Sequence, residues 1–252
     1  MNNRQRKYRG KLSLEQIAEG IVTCLENARA LVEDATTLLK AQRYPRALTC
    51  LLVADQELGK VHVLLAMARI YPSKQIHWSD KWKSFRSHEI KAAHAVVNTF
   101  PDHARTSPDN LLPMVLDSCV KVPTDEELRQ ASLYVDFSAK DRDWLSPLKI
   151  TRGMVDTRLK STVAILERLE GFANMGLFSV KALRIQHEEL SKVASDLPPY
   201  KDLTPEHVRS LMPRLKPCLE RCYKRIIREA LVSEPPDSFE IMGRPWHEFL
   251  DS

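Results

Sequence analysis

Residues 46–70 constrain the fold more than any other stretch of the chain. They read ALTCLLVA and then VHVLLAMA, apolar nearly all round when wound as a helix. A helix of that kind sits in the middle of a bundle, with other helices on every side. Yet Glu57 and Lys60 are set into it. On a wheel of about 100° per residue, Glu57 shares its face with Cys50, Val53, Ala54, Val61 and Leu64. A lone buried carboxylate is costly and must be paired or protonated. An exposed i,i+3 pair gains only about 0.2–0.5 kcal/mol, too little to justify burying both charges.

Other helices are there to surround it. Leu14, Ile17, Ala18, Ile21, Leu25, Ala28, Leu31, Ala35, Leu38 and Leu39 recur at helical spacing, with Ser13 as N-cap. Residues 42–45 break that pattern, and Pro45 suits the first turn of the next helix. A third helix is predicted over about 79–99, followed by a loop at 101–110, a short apolar piece at 111–121 and a capping box opening at Thr124. Residues 133–137 alternate as an extended strand, and 141–147 read as a turn. Thr151 caps a long helix to Phe172 with Val155, Leu159, Val163, Leu166 and Leu169 as its stripe, and Gly171 and Gly176 bracket its end. Helices follow over about 177–195, 205–212 and 217–231.

The fold class expected is all-α: a helical bundle with at most a short extended ribbon near 133–137, plus extra C-terminal helices. Its parts are a basic flexible arm (1–12), a main helical domain (13–175), a C-terminal helical extension (176–232) and a Pro-rich tail (233–252). Only 7 glycines among 252 residues argue against a turn-rich all-β design.

The net charge of +5 permits an anionic partner without demanding one. No apolar run approaches the roughly 20 residues of a membrane span, and no apolar signal core follows the basic N-terminus. The five cysteines (24, 50, 119, 218 and 222) show no disulfide or zinc spacing, so a reducing cytoplasm is the expected compartment and no metal is expected. No phosphate-binding glycine loop, dinucleotide fingerprint, H-E-x-x-H or G-x-S-x-G motif is present, and no cofactor is expected.

Two further segments carry polar groups toward the same place. On the third helix His88 shares a face with Phe85, Ala92 and Ala95, with Lys91 beside it. In an extended 133–137, Tyr134 and Asp136 project to one side, where Asp136 can face Lys60, Lys91 or Arg86. A centre made of Glu57, Lys60, Arg86, His88, Lys91, Tyr134 and Asp136 would meet the condition of a buried network, that every member is satisfied.

The same residues carry a family resemblance. The run Ala54-Asp55-Gln56-Glu57-Leu58-Gly59-Lys60 resembles the second-helix motif of AbiV-type abortive infection proteins. Phe85-Arg86-Ser87-His88-Glu89-Ile90-Lys91 resembles their F-R-x-H-x-x-K element. Ser132-Leu133-Tyr134-Val135-Asp136-Phe137, with Trp144 and Pro147, is similar to their slYvD…W…P element. Order and spacing agree over roughly residues 14–172, so the main helical domain is the AbiV-like part. The resemblance implies a HEPN-like, dimeric helical protein that blocks phage multiplication by interfering with translation after a phage protein is sensed. One departure stands out. HEPN ribonucleases carry an Arg, four to six residues, then a His, and none of the eight histidines here has an Arg at that upstream spacing; Lys83, five before His88, lacks the planar fork of Arg.

Three functions follow as expectations. The first is a non-catalytic anti-phage effector whose partners are a phage protein activator or the translation machinery. The second is a metal-independent ribonuclease with His88, Lys91 and Glu57 as catalytic residues: His88 as general acid or base, Lys91 and Arg86 on the phosphate, Tyr134 orienting the network. The third is a non-catalytic RNA-binding protein using the basic arm and Arg214, Lys216, Arg221, Lys224, Arg225 and Arg228. All three are read as cytoplasmic homodimers away from the membrane.

Overall fold

The computed structural model describes residues 8–69, 78–88, 90–91, 125, 127–138, 142–194, 205–232, 240–241 and 244–245. The expected loop at 101–110, the apolar piece at 111–121 and the cap at Thr124 lie outside these residues, as do residues 92–99 of the third predicted helix and most of the Pro-rich tail.

Helix α1 (Leu14–Lys40) opens on a complete capping box: the Ser13 hydroxyl accepts from the Gln16 N–H while the Gln16 side chain accepts from the Ser13 N–H. It ends in a Schellman turn. Gln42 takes φ 59°, its N–H reaches Leu39 O, and the Arg43 N–H reaches Leu38 O at 2.8 Å. That tight reversal lays α2 (Tyr44–Arg69) back along α1.

Within α2, positions 54 to 59 are all buried in succession: Ala54, Asp55, Gln56, Glu57, Leu58 and Gly59. Six consecutive buried residues sweep more than a full turn, so the helix is enclosed on every side, as its composition predicts. Its neighbours are α1, the short α3 (Trp78–Arg86), α4 (Arg152–Asn174) and α5 (Val180–Ala194). His88, Ile90 and Lys91 continue helically after a break at Ser87, and residues 127–133 are helical. Thr151 caps α4 as expected, and α4 ends in a second Schellman turn at Gly176, whose φ of 85° suits glycine.

Three local expectations are corrected. The strand predicted over 133–137 begins later: residues 131–133 end a helix, and β1 (Asp136–Ser138) pairs antiparallel with β2 (Asp143–Leu145). The supposed turn at 141–147 therefore contains the returning strand and leads into a 3₁₀ turn at Pro147–Lys149. The two helices predicted near 205–212 and 217–231 are one, α6 (Pro205–Glu229), which runs through Pro213 and Pro217. Both prolines lie one turn apart on the exposed side, where water can take up the carbonyls they leave unpaired. A second small ribbon pairs β3 (Glu240–Ile241) with β4 (Arg244–Pro245).

The apolar core is continuous. Ile17, Ile21, Leu48, Leu51, Leu58 and Leu166 belong to the same cluster as Phe178, Leu183, Cys222 and Ile226. Helices α5 and α6 thus pack into the core that α1, α2 and α4 begin. The architecture is an all-α bundle carrying short two-stranded ribbons.

Candidate functional site

The charges in the middle of α2 divide into two sets on different sides of the helix. The first is centred on Asp55, only 4% exposed. Arg158 of α4 donates its Nε to Asp55 Oδ2 at 2.5 Å and its two terminal nitrogens to Asp125 at 3.0 and 2.8 Å. The Thr162 hydroxyl donates to the other Asp55 oxygen at 2.9 Å. One guanidinium therefore ties together α2, α4 and the segment at Asp125. Burial pushes the Asp55 carboxyl up, against the pull of Arg158 and Thr162. Burial likewise opposes the charge on Arg158, but the two carboxylates outweigh it and hold its pKa above the ordinary value.

The second set faces α1 and α3. Lys60 Nζ donates to Glu57 Oε1 at 2.6 Å and lies 5.4 Å from the centre of the Phe85 ring. Lys91 is 6% exposed, and its backbone carbonyl rests on Gly59: a Cβ there would come 2.0 Å from Lys91 O. Glycine is required at 59 because main chain occupies the space a side chain would need. Burial, and then the like charge of Lys60, push the Lys91 ammonium down, with Glu57 opposing. Beside the pair lies an open groove of ≈ 520 Å³, lined by Thr23, Cys24 and Asn27 of α1, Glu57 and Lys60 of α2, and Phe85 of α3. Burial, followed by the Glu57 charge, pushes the Cys24 thiol up to about 11.

The residues singled out in the sequence distribute as follows. Glu57, Lys60 and Lys91 come together. His88 stands at the edge, exposed, with Nδ1 2.7 Å from Gln56 Oε1. Arg86 turns away, stacked over the Trp82 ring at 4.9 Å and donating to Tyr8 O. Tyr134 is 61% exposed, following the last turn of the 127–133 helix. Asp136 is placed by its backbone, opposite Leu145 at the start of β1. Arg225 of the basic C-terminal set is engaged by Glu188, Glu189 and Glu229.

Sequence reasoning missed the Asp55–Arg158 network, although one signal was present. Asp55 is an acid in a helix apolar nearly all round, and Arg158 and Thr162 are four apart on α4, flanking its apolar stripe. Among the described residues no group of His, Cys, Asp and Glu could hold a metal ion, and no helix is long and apolar enough to cross a membrane.

The model of the AbiV family, HEPN_AbiV, matches residues 16–167. That span holds α1, α2, α3, both sets of α2 charges and most of α4. No curated protein and no solved structure matches the chain. The match covers more than half of the sequence, and the all-α bundle is consistent with it: the chain belongs to the AbiV family of HEPN-like helical proteins, a membership that suggests an abortive-infection, anti-phage role.

Proposed function

We propose that this chain is an anti-phage effector that works by binding: it engages a phage protein and then interferes with translation in the infected cell. The observation that carries this reading is that both acids in the middle of α2 are already committed to partners. Asp55 is held by Arg158 and Thr162, and Glu57 by Lys60. Such groups hold the bundle in register, which leaves recognition rather than bond breaking as the work of the surface around them. The groove bounded by α1, α2 and α3 is the face we assign to recognition. Expressing the protein in a host challenged with a broad phage panel, with pulse labelling of new protein, tests the idea. Unimpeded phage growth together with unaltered protein synthesis would sink it. A cytoplasmic homodimer belongs to the same reading, and sedimentation analysis of the purified protein tests its oligomeric state.

A metal-independent ribonuclease is the second reading, favoured by His88. Its ring is exposed, and a Gln56 carbonyl oxygen accepting from Nδ1–H makes Nε2 the basic nitrogen. Against it stand the burial of Lys91, the commitment of Glu57 to Lys60, and the absent Arg before each His. Purified wild type and His88→Ala are compared on RNA; equal rates remove the nuclease.

A further inference from the structure

We propose that residues 8–12 form a strap that holds α3 in place as one wall of the α1–α2–α3 groove, and that its release widens the groove over Glu57 and Lys60. The proposal builds on our assignment of that groove to recognition, but its test reads the strap itself.

The argument begins with what α3 lacks. It is nine residues long and contains no buried residue. Isolated helices shorter than about 12–15 residues are marginal in water, so α3 depends on what is laid against it. Trp78 and Phe85 give it a partial hold on the core. Among the described residues, the strap supplies a second hold from the other side. Trp82 Nε1 donates to Gly10 O at 2.8 Å, and Arg86 donates to Tyr8 O. The Tyr8 ring meets Trp82 edge-on at 5.7 Å, and its hydroxyl donates back to Lys11 O at 2.8 Å. A Cβ at Gly10 would lie 2.5 Å from the Tyr8 hydroxyl oxygen, so a larger residue there would displace the ring from this position.

The other end of the strap is fixed independently. Leu12 packs on the core, and Ser13 is the N-cap of α1. The strap thus spans from the start of α1 to the outer side of α3, and the groove lies between those two helices. A line of contacts runs inward from it. Trp82 meets Phe85 edge-on at 5.5 Å, Phe85 lies under Lys60 at 5.4 Å, and Lys60 holds Glu57 at 2.6 Å. Loss of the outermost contacts therefore loosens the ring that walls the groove and shields the ion pair.

Hydrogen exchange on the full chain, on a form lacking residues 1–10, and on Tyr8→Ala tests the strap. The deletion leaves Leu12 and the Ser13 cap in place. Amides of 78–86 should exchange at least about tenfold faster in the deletion, and by a smaller factor in Tyr8→Ala. Thiol labelling of Cys24, which lines the groove, should accelerate with them. Amides of α4 should keep their wild-type rates. Wild-type exchange in α3 and wild-type labelling of Cys24 in both variants overturns the proposal. Equal acceleration in α4 overturns it too, since the effect would then be general loss of stability. Because neither readout involves phage, a failed strap is distinguishable from a failed assignment of anti-phage binding.

Discussion

Replacing Arg158 by methionine removes a cation that α2, α4 and the segment at Asp125 share. Methionine keeps most of the aliphatic stem, so the loss is mainly of charge and hydrogen bonds. Two carboxylates then face each other without that counter-ion, one with a side chain 6% exposed and the other 16%. Breaking a buried pair from one side costs about 3–5 kcal/mol. Arg158 itself is a quarter exposed, and Asp55 can take up a proton, so the lower end of that range applies: about 3 kcal/mol, or roughly 10 °C in Tm for a chain of this length. The pH dependence has a definite sign. Burial already pushes the Asp55 carboxyl up, and removing Arg158 removes a force opposing that shift. A carboxyl whose folded pKa is raised contributes stability below its unfolded pKa of about 3.9 and loses it as pH rises through the folded value. The variant's deficit should therefore be small near pH 4 and grow toward pH 8. Urea denaturation across that range is the assay. A deficit below about 1 kcal/mol at pH 8, or one that grows on acidification, would refute the account of Asp55 as a buried carboxylate dependent on Arg158. The double variant Asp55→Leu/Arg158→Met should recover part of the loss, since it no longer buries an unpaired charge.

Other outcomes follow from the same coordinates. Gly59→Ala should destabilise by about 1–3 kcal/mol because Lys91 O occupies the space, whereas Gly153→Ala, exposed in α4 with nothing within 4 Å, should stabilise by up to about 1 kcal/mol; chemical denaturation of both checks the pair. Gln42→Gly should stabilise by several tenths of a kcal/mol by relieving the positive φ at the end of α1, read as a rise in Tm. Cys24, with its thiol pushed up to about 11, should react with a disulfide reagent at pH 8 more slowly than the half-buried Cys50, and its rate should climb with pH up to that value.

Helices α1, α2 and α4 were legible because each writes its own evidence locally. Ser13 and Thr151 sit where a cap must, and the apolar stripes repeat over many turns. The enclosure of α2 was legible for the same reason, since an all-round apolar helix has no face to give to water. What the sequence hid depends on distance or on context. Asp55 and Arg158 are 103 residues apart, and no spacing rule joins them. Attention fell on Glu57, whose partner three residues away is visible in the sequence, rather than on Asp55, whose partner is not. Pro213 and Pro217 are strong breakers by composition, and only their exposed side in α6 lets the helix continue. Tyr134 follows the last turn of a helix and is not a strand residue, so the alternation that set it beside Asp136 does not apply; the centre gathers Lys91 with Glu57 and Lys60 and leaves Tyr134 at the surface.

The shared core has a practical meaning for anyone who cuts this chain. The family match stops at residue 167, but α4 continues to Asn174, and α5 covers the last turns of α2. Arg69 at the end of α2 is clasped by Gln186, and Val232 returns to donate to Met175 O. A fragment ending at residue 167 would strip α2 of α5, baring apolar surface that the shared core now covers. Such a fragment should aggregate, and the smallest soluble unit should extend at least through Val232, so the stretch by which the family is recognised is shorter than the stretch that can stand alone.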